Sequence, residues 1–147
     1  MKIYKYQPII VPGPAGTEYR LGWDSTEENP IDLCEIDGWR YISVPETLTV
    51  TVPEEITTWQ LADITSELKE QIKANSSICQ TIAQRVIDKI RAKYPLDEEL
   101  YLARIAVGSL QGTYQLQPGE SELLASYQAD VEAAREWGRQ ERTKLGL

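Results

Sequence analysis

The chain has 147 residues, with 23 acids against 15 bases and a formal net charge of −8, and it contains neither histidine nor phenylalanine. That length suits one domain with a real core or two very small ones. The acidic balance argues against nucleic acid and anionic membranes as partners, and the lack of histidine removes the commonest general base and the commonest zinc ligand.

The charge is uneven. Residues 1–53 carry −4, residues 54–95 balance at zero, and residues 96–147 carry −4. No apolar run is long enough to span a bilayer, so no membrane insertion is expected. The opening residues 1–6 lack an apolar stretch, so no signal peptide is expected either. Four Trp and eight Tyr supply the aromatic content. Their apolar bodies and polar tips suit surfaces that meet other proteins.

Residues 1–11 alternate as a strand, through Ile3, Lys5, Ile9 and Val11, and Pro8 puts that strand at an edge or ends it early. Residues 12–16 read as a loop and residues 17–23 as a second strand. Residues 24–30 are acidic and turn-rich.

The clearest local signal follows. Asp37-Gly38 between residues 31–36 and 39–44 predicts a two-residue hairpin with a type I′ turn. Gly38 accepts the positive φ that this turn requires. Trp39, Tyr41 and Ser43 should share one face, and Arg40, Ile42 and Val44 the other. Cys34 should share a face with Asp32 and Ile36. Residues 48–52 read as a further strand, closed by Pro53.

Residues 54–94 read as one long amphipathic helix that begins near Glu54 or near Leu61. Its apolar members Leu61, Ile64, Leu68, Ile72, Ile78, Ile82, Val86 and Ile90 recur at steps of three or four residues except across Asn75, and the candidate seam is Leu61, Ile64, Leu68, Ile72, Asn75, Ile82, Val86 and Ile90. Residues 75–77 have poor helix propensity. Either the helix breaks there, or it continues with Asn75 in the seam; the continuous helix is the expectation, packed on the sheet or paired in an oligomer.

Pro95 opens a short helix with Leu100, Ala103 and Val107 on one face and Gly108 as its stop. Residues 110–116 are loop or a short strand. The last helix starts after Pro118-Gly119, and its face runs through Leu123, Leu124, Tyr127, Val131, Ala134, Trp137 or Gly138, and Leu145. Residues 144–147 should fray unless docked.

The fold class is therefore α+β: a small N-terminal antiparallel sheet of four or five strands (residues 1–53), a long helix (54–94), and a C-terminal helical region with two further helices (95–147).

No phosphate-binding Gly loop, nucleophile elbow or His-containing triad is present. The paired acids at Glu27-Glu28, Glu54-Glu55 and Asp97-Glu98-Glu99 read as solvated turns or helix N-termini, not as catalytic or cation sites. No catalytic residue, metal ligand or cofactor is expected. Cys34 and Cys79 are two reduced thiols or a disulfide, within the chain or to a partner. Tyr4, Tyr6, Tyr19, Trp23, Trp39 and Tyr41 are either the core of a Phe-free sheet or, some of them, a patch for a protein or glycan partner, with Tyr4, Tyr6, Trp23, Trp39 and Tyr41 as the candidate partner-binding set.

The layout of residues 101–106, 116–122 and 127–137 (Tyr-Leu-Ala-Arg-Ile-Ala, Leu-Gln-Pro-Gly-Glu-Ser-Glu and Tyr-Gln-Ala-Asp-Val-Glu-Ala-Ala-Arg-Glu-Trp) resembles the C-terminal region of phage tail-fibre assembly and attachment proteins. The opening residues 1–23 and the Asp37–Arg40 hairpin are similar to a small docking domain. The resemblance implies a structural protein of the phage tail or baseplate, located in the virion, that joins other tail or fibre proteins and forms a homo-oligomer. The alternative is a cytoplasmic assembly chaperone that leaves the particle. A small enzyme working through carboxylates alone ranks third.

Overall fold

The computed structural model describes residues 1–11 and 16–147. The loop expected at residues 12–15 lies outside them. Among the described residues are β1 (Lys2–Tyr6), β2 (Ile10–Val11), β3 (Thr17–Glu18), β4 (Gly22–Trp23), β5 (Ile31–Ile36), β6 (Trp39–Val44), β7 (Val50–Thr51) and β8 (Gln60–Leu61). Four helices follow: α1 (Ser66–Asn75), α2 (Ser77–Arg91), α3 (Leu96–Leu110) and α4 (Glu120–Thr143). The chain is α+β, with a small N-terminal antiparallel sheet and C-terminal helices.

Two compact units are present: Met1–Thr81 together with Glu141–Leu147, and Ile82–Gln140. The division expected at residues 53 and 94 does not match them. The first helix and the last seven residues belong with the sheet, because a four-stranded sheet this small needs both faces covered.

In the first unit, four strands lie in the order β5-β6-β1-β8, all antiparallel neighbours. Asp37 at φ 51° and Gly38 at φ 76° make the tight turn between β5 and β6, as the Asp-Gly signal predicts. Pro8, which has no N–H to donate, separates β1 from β2. β2 pairs with β3, and β4 with β7. The expected strand at residues 48–52 shrinks to β7, because Leu48 turns inward as a core residue.

One face of the sheet carries Tyr4, Tyr6, Ile42 and Val44. Buried Leu48 and Ile56 close it, with Val50, Val52 and Trp59 packed alongside. Trp59 stacks on Tyr4 at 4.8 Å between ring centroids, with planes 8° apart. The opposite face carries Ile3 and Tyr41. α1 packs against β5, and its Ile72 has no solvent exposure.

The C-terminal tail is docked rather than frayed. Leu145 and Leu147 are buried. Gly146, at φ +85°, lies so close to β1 that an added Cβ would stand 3.3 Å from Ile3 Cγ1 and 3.4 Å from the Met1 carbonyl. Only glycine fits that combination of backbone and space.

The expected single helix over 54–94 starts later and is broken in the middle. Residues 54–65 are not helical: Ile56 plugs the sheet face, and β8 adds to the free edge of β1. Helix begins at Ser66, where Thr65 accepts a hydrogen bond from the Leu68 N–H at 3.2 Å, an N-cap. It then breaks at Ser76. This residue is extended (φ −77°, ψ 121°) and fully buried; its N–H donates to Ile72 O, and its Oγ accepts from the Cys79 N–H. A serine that ends one helix and caps the next satisfies backbone groups that an uninterrupted helix would satisfy internally.

In the second unit, Tyr94, Leu102 and Ile105 are buried, with Tyr114, Leu116, Leu123, Leu124 and Tyr127 around them. Tyr94 meets Tyr127 edge to face at 5.0 Å. Its hydroxyl donates to Asp130 at 2.6 Å, and Asp130 also pairs with Lys93. Gly108 does not stop α3, which runs on to Leu110. An added Cβ at Gly108 would stand 2.8 Å from Tyr114 Cβ, so the glycine lets the following loop fold back against the helix. The face of α3 that is buried carries Leu102 and Ile105; Leu100, Ala103 and Val107, expected inside, are exposed.

Candidate functional site

The most developed concave surface of the first unit is built around Arg40. The hairpin register places Arg40 on β6 opposite Tyr6 on β1 and Glu35 on β5. A bulge shifts the β5–β6 register between Asp32 and Cys34. Asp32 thereby pairs with Ile42 and joins the Arg40 face, while Cys34 pairs with Tyr41 on the other. Asp32 and Cys34, expected on one face, are parted by that one inserted residue.

Three carboxylates consequently surround one guanidinium. Arg40 NH1 lies 2.7 Å from Glu18 Oε1, NH2 lies 3.6 Å from Glu35 Oε2, and Nε lies 3.8 Å from Asp32 Oδ2. The guanidinium also approaches the Tyr6 ring, 6.0 Å from its centroid. Burial by itself would make Arg40 easier to deprotonate, but Glu18 and Tyr6 outweigh it and hold the cation above its already high value. Burial raises the Tyr6 hydroxyl, against the opposing pull of Arg40. Arg40 is therefore a permanent positive hub with an excess of acceptors around it.

Beside this hub runs a groove of about 250 Å³, walled by Tyr6, Tyr19, Leu21, Trp23, Pro30 and Ile42. Trp23 is 43% exposed, and its indole N–H donates to Asn29 Oδ1 at 2.9 Å. The 24–30 loop is fastened to the turn after β6: Asp24 Oδ1 accepts from the Thr49 N–H, and Glu28 Oε2 accepts from the Thr47 hydroxyl at 2.6 Å. The groove thus offers an aromatic wall, an aliphatic floor and a polar end, on strands that hold their side chains in place.

The expected partner-binding residues divide. Trp23 lines the groove with its ring open to solvent, and Tyr6 lines it from the core side. Tyr41 is buried in the opposite face. Tyr4 is covered by Trp59, and Trp39 lies under the Lys5 ammonium at 4.7 Å. Tyr41 therefore leaves the binding set, because strand alternation places it on the sheet face opposite Arg40, where it is buried. Tyr19, one of the sheet aromatics, also lines the groove, whereas Arg40 and Glu18 lie outside the expected set. A usable signal existed: an arginine alternating with Ile42 and Val44 on an inward face must find acids, and a two-residue turn sets Glu35 opposite it.

The expected helix seam does not exist as one line. Leu61 is on β8 and 59% exposed, and Ile64 precedes α1. Asn75 ends α1 and donates its side-chain amide to Gln71 O at 2.8 Å, so it caps its own helix. Leu68 and Ile72 lie on α1, and Ile82, Val86 and Ile90 on α2.

Cys34 and Cys79 are free thiols, half-buried and buried. Burial pushes the Cys34 thiol up to about 11, and Asp32 and Cys79 add to that. A thiol so placed is a poor nucleophile at neutral pH.

The paired acids occupy local structural positions. Glu27 and Glu28 have their N–H groups bonded to Ser25 Oγ, and residues 97–99 form the first turn of α3. Among the described residues no three His, Cys, Asp or Glu side chains converge as a metal site, and no helix is long and apolar enough to cross a membrane.

A second concavity, of about 260 Å³, lies in the other unit, where Lys89 sits 4.7 Å over the Trp137 ring beside Ile90 and Asp130. No protein-family model, curated protein or solved structure matches this chain.

Proposed function

We propose that this chain is a non-enzymatic structural protein of a phage tail that links or initiates tail fibres at the baseplate, and that the Arg40 groove holds the neighbouring protein. The observation that carries the binding half of this reading is the groove itself: an open Trp23 wall on β4 beside the cluster of Arg40, Asp32 and Glu35 on the four-stranded sheet with Glu18 of β3. An exposed aromatic ring beside an arginine is the composition of interface hot spots. The tail setting is supported by the layout of residues 101–106, 116–122 and 127–137.

Three carboxylates against one guanidinium leave the cluster net negative. The fitting occupant is a partner segment that places a lysine or arginine at the acids and an apolar side chain against Trp23.

Particles of the phage that encodes the chain, purified by density gradient, should contain it. Trp23→Ala changes an exposed position, so the far-ultraviolet circular dichroism should stay unchanged while incorporation falls by about threefold or more. A chain absent from particles but bound to fibre protein in infected-cell extracts would replace this reading with the assembly chaperone. Normal incorporation of Trp23→Ala would remove the groove's role.

A further inference from the structure

The face of α3 turned away from its own core carries Leu96, Leu100, Ala103, Val107 and Leu110, spaced four, three, four and three residues apart. The four large side chains are 52%, 63%, 52% and 89% exposed. Leu102 and Ile105, on the opposite face, are buried. α3 is therefore a helix with two apolar stripes, one of them unpartnered among the described residues. A contiguous aliphatic strip of this kind marks an interaction surface.

We propose that this strip pairs with the same strip of a second copy of the chain, in a short, parallel, in-register two-helix seam. The spacing is the first argument. Steps of four and three alternate without a break, which is the 3.5-residue repeat that keeps one seam facing a partner helix. With Leu96, Ala103 and Leu110 at d, Leu100 and Val107 stand at a. Of the two a positions Val107 is β-branched, and with Leu110 at d it favours two strands.

Charge is the second argument, and it sets the direction. In this register Glu99 occupies g and Arg104 occupies e. The g residue of one parallel helix faces the e residue five positions on in its partner. Glu99 of each copy thus meets Arg104 of the other, twice per dimer. Among the described residues, the ion pairs within the chain use neither side chain. An antiparallel pair would set Arg104 against Arg104 across the two-fold axis.

α3 is ordered by its own core, through Leu102 and Ile105, so pairing carries no helix-nucleation cost. Two heptads nevertheless make a small interface, at the weak end of specific ones.

The test is sedimentation equilibrium of the full chain from about 10 to 500 µM, a range that brackets weak specific pairing. The wild type should move from the mass of one chain toward that of two. Leu100→Glu, at an exposed site, should weaken pairing by about tenfold or more. Glu99→Arg and Arg104→Glu should each weaken it, and the two together should restore it. The double charge swap leaves the apolar strip intact, so it decides the question even if Leu100→Glu misfolds. A wild type that stays monomeric throughout, a trimer or larger species, a folded Leu100→Glu that pairs normally, or a double swap that fails to restore pairing would overturn the proposal.

Discussion

The two units of this chain hold themselves together in different ways. The first depends on pairings between distant parts of the sequence: β1 lies between β6 and β8, and the last residues return to cover it. Each contact closes a long loop, and the core forms only when all are made. The second is helical, with a compact centre at Tyr94, Leu102 and Ile105. Polar staples ring that centre. Tyr101, Tyr114 and the Gln117 N–H all donate to Glu120, and Tyr94 and Lys93 donate to Asp130. The sheet unit buries two apolar faces and gathers Glu18, Asp32 and Glu35 around Arg40; the helical unit centres its staples on Glu120 and Asp130, whose carboxyls hydrogen bonds hold below their ordinary range. Both units are therefore expected to respond to cavities, and the two depressed carboxyls add a response to acid in the helical one.

The largest effects should come from Ile72→Ala and Leu102→Ala, which hollow out fully buried sites in the two units. Each should cost about 2–5 kcal/mol in urea denaturation. Amide hydrogen exchange separates them: Ile72→Ala should deprotect β1, β5 and β6 first, and Leu102→Ala the amides of α3 and α4. Equal deprotection of both regions by either variant would make the two units one cooperative block.

Acid should act more gently and on the helical unit. The Tyr101 hydroxyl, the Gln117 N–H and Tyr114 hold the Glu120 carboxyl below the ordinary carboxylate range. A depressed folded value means that the stabilisation is present above the unfolded value of about 4.3 and is lost as the pH falls through the folded one. The same bond pushes the Tyr101 hydroxyl up to about 12, so its contribution is complete below pH ~10 and fades as the pH rises through about 12. Glu120→Gln should flatten the acid side of the stability–pH curve without moving the exchange of the sheet. An unchanged slope would show that Glu120 is not the acid-sensitive staple.

Ser43→Ala should do least. Its hydroxyl is buried without a hydrogen-bond partner, so removing it should change stability by less than about 0.5 kcal/mol, or raise it slightly. A clear loss by thermal melting would mean that the hydroxyl is bonded in solution.

Legibility in the sequence followed locality. The Asp37-Gly38 turn lies where it is expected, because a I′ turn is specified by two adjacent residues. Pro95 and Pro118-Gly119 likewise mark the entries to α3 and α4. The Ser76 break was visible as poor propensity at residues 75–77, but a periodic apolar pattern on both sides favoured continuity. What decided against it was the burial of Ser76 with both its polar groups bonded.

The Arg40 groove was less legible. Its acids come from β3 and β5, and a bulge invisible to simple alternation moves Asp32 onto the right face. The inward face of α3 is hidden in the sequence for a similar reason. Its sequence carries two apolar stripes, Leu96–Leu100–Val107–Leu110 and Leu102–Ile105, and periodicity alone cannot say which one meets the core.

By itself, then, the sequence determined an α+β chain, its hairpin, the entries of its later helices, and an acidic composition free of histidine chemistry. These depend on neighbouring residues, whose conformational preferences act before the chain has folded. The tertiary structure alone decided that residues 54–65 complete the sheet, that the tail returns to β1, and that Arg40 is ringed by three acids. It also decided which face of α3 is left open. Those outcomes turn on which apolar surfaces and unpaired strand edges find each other across the chain, and burial rewards the best-covered arrangement, not the most regular local pattern.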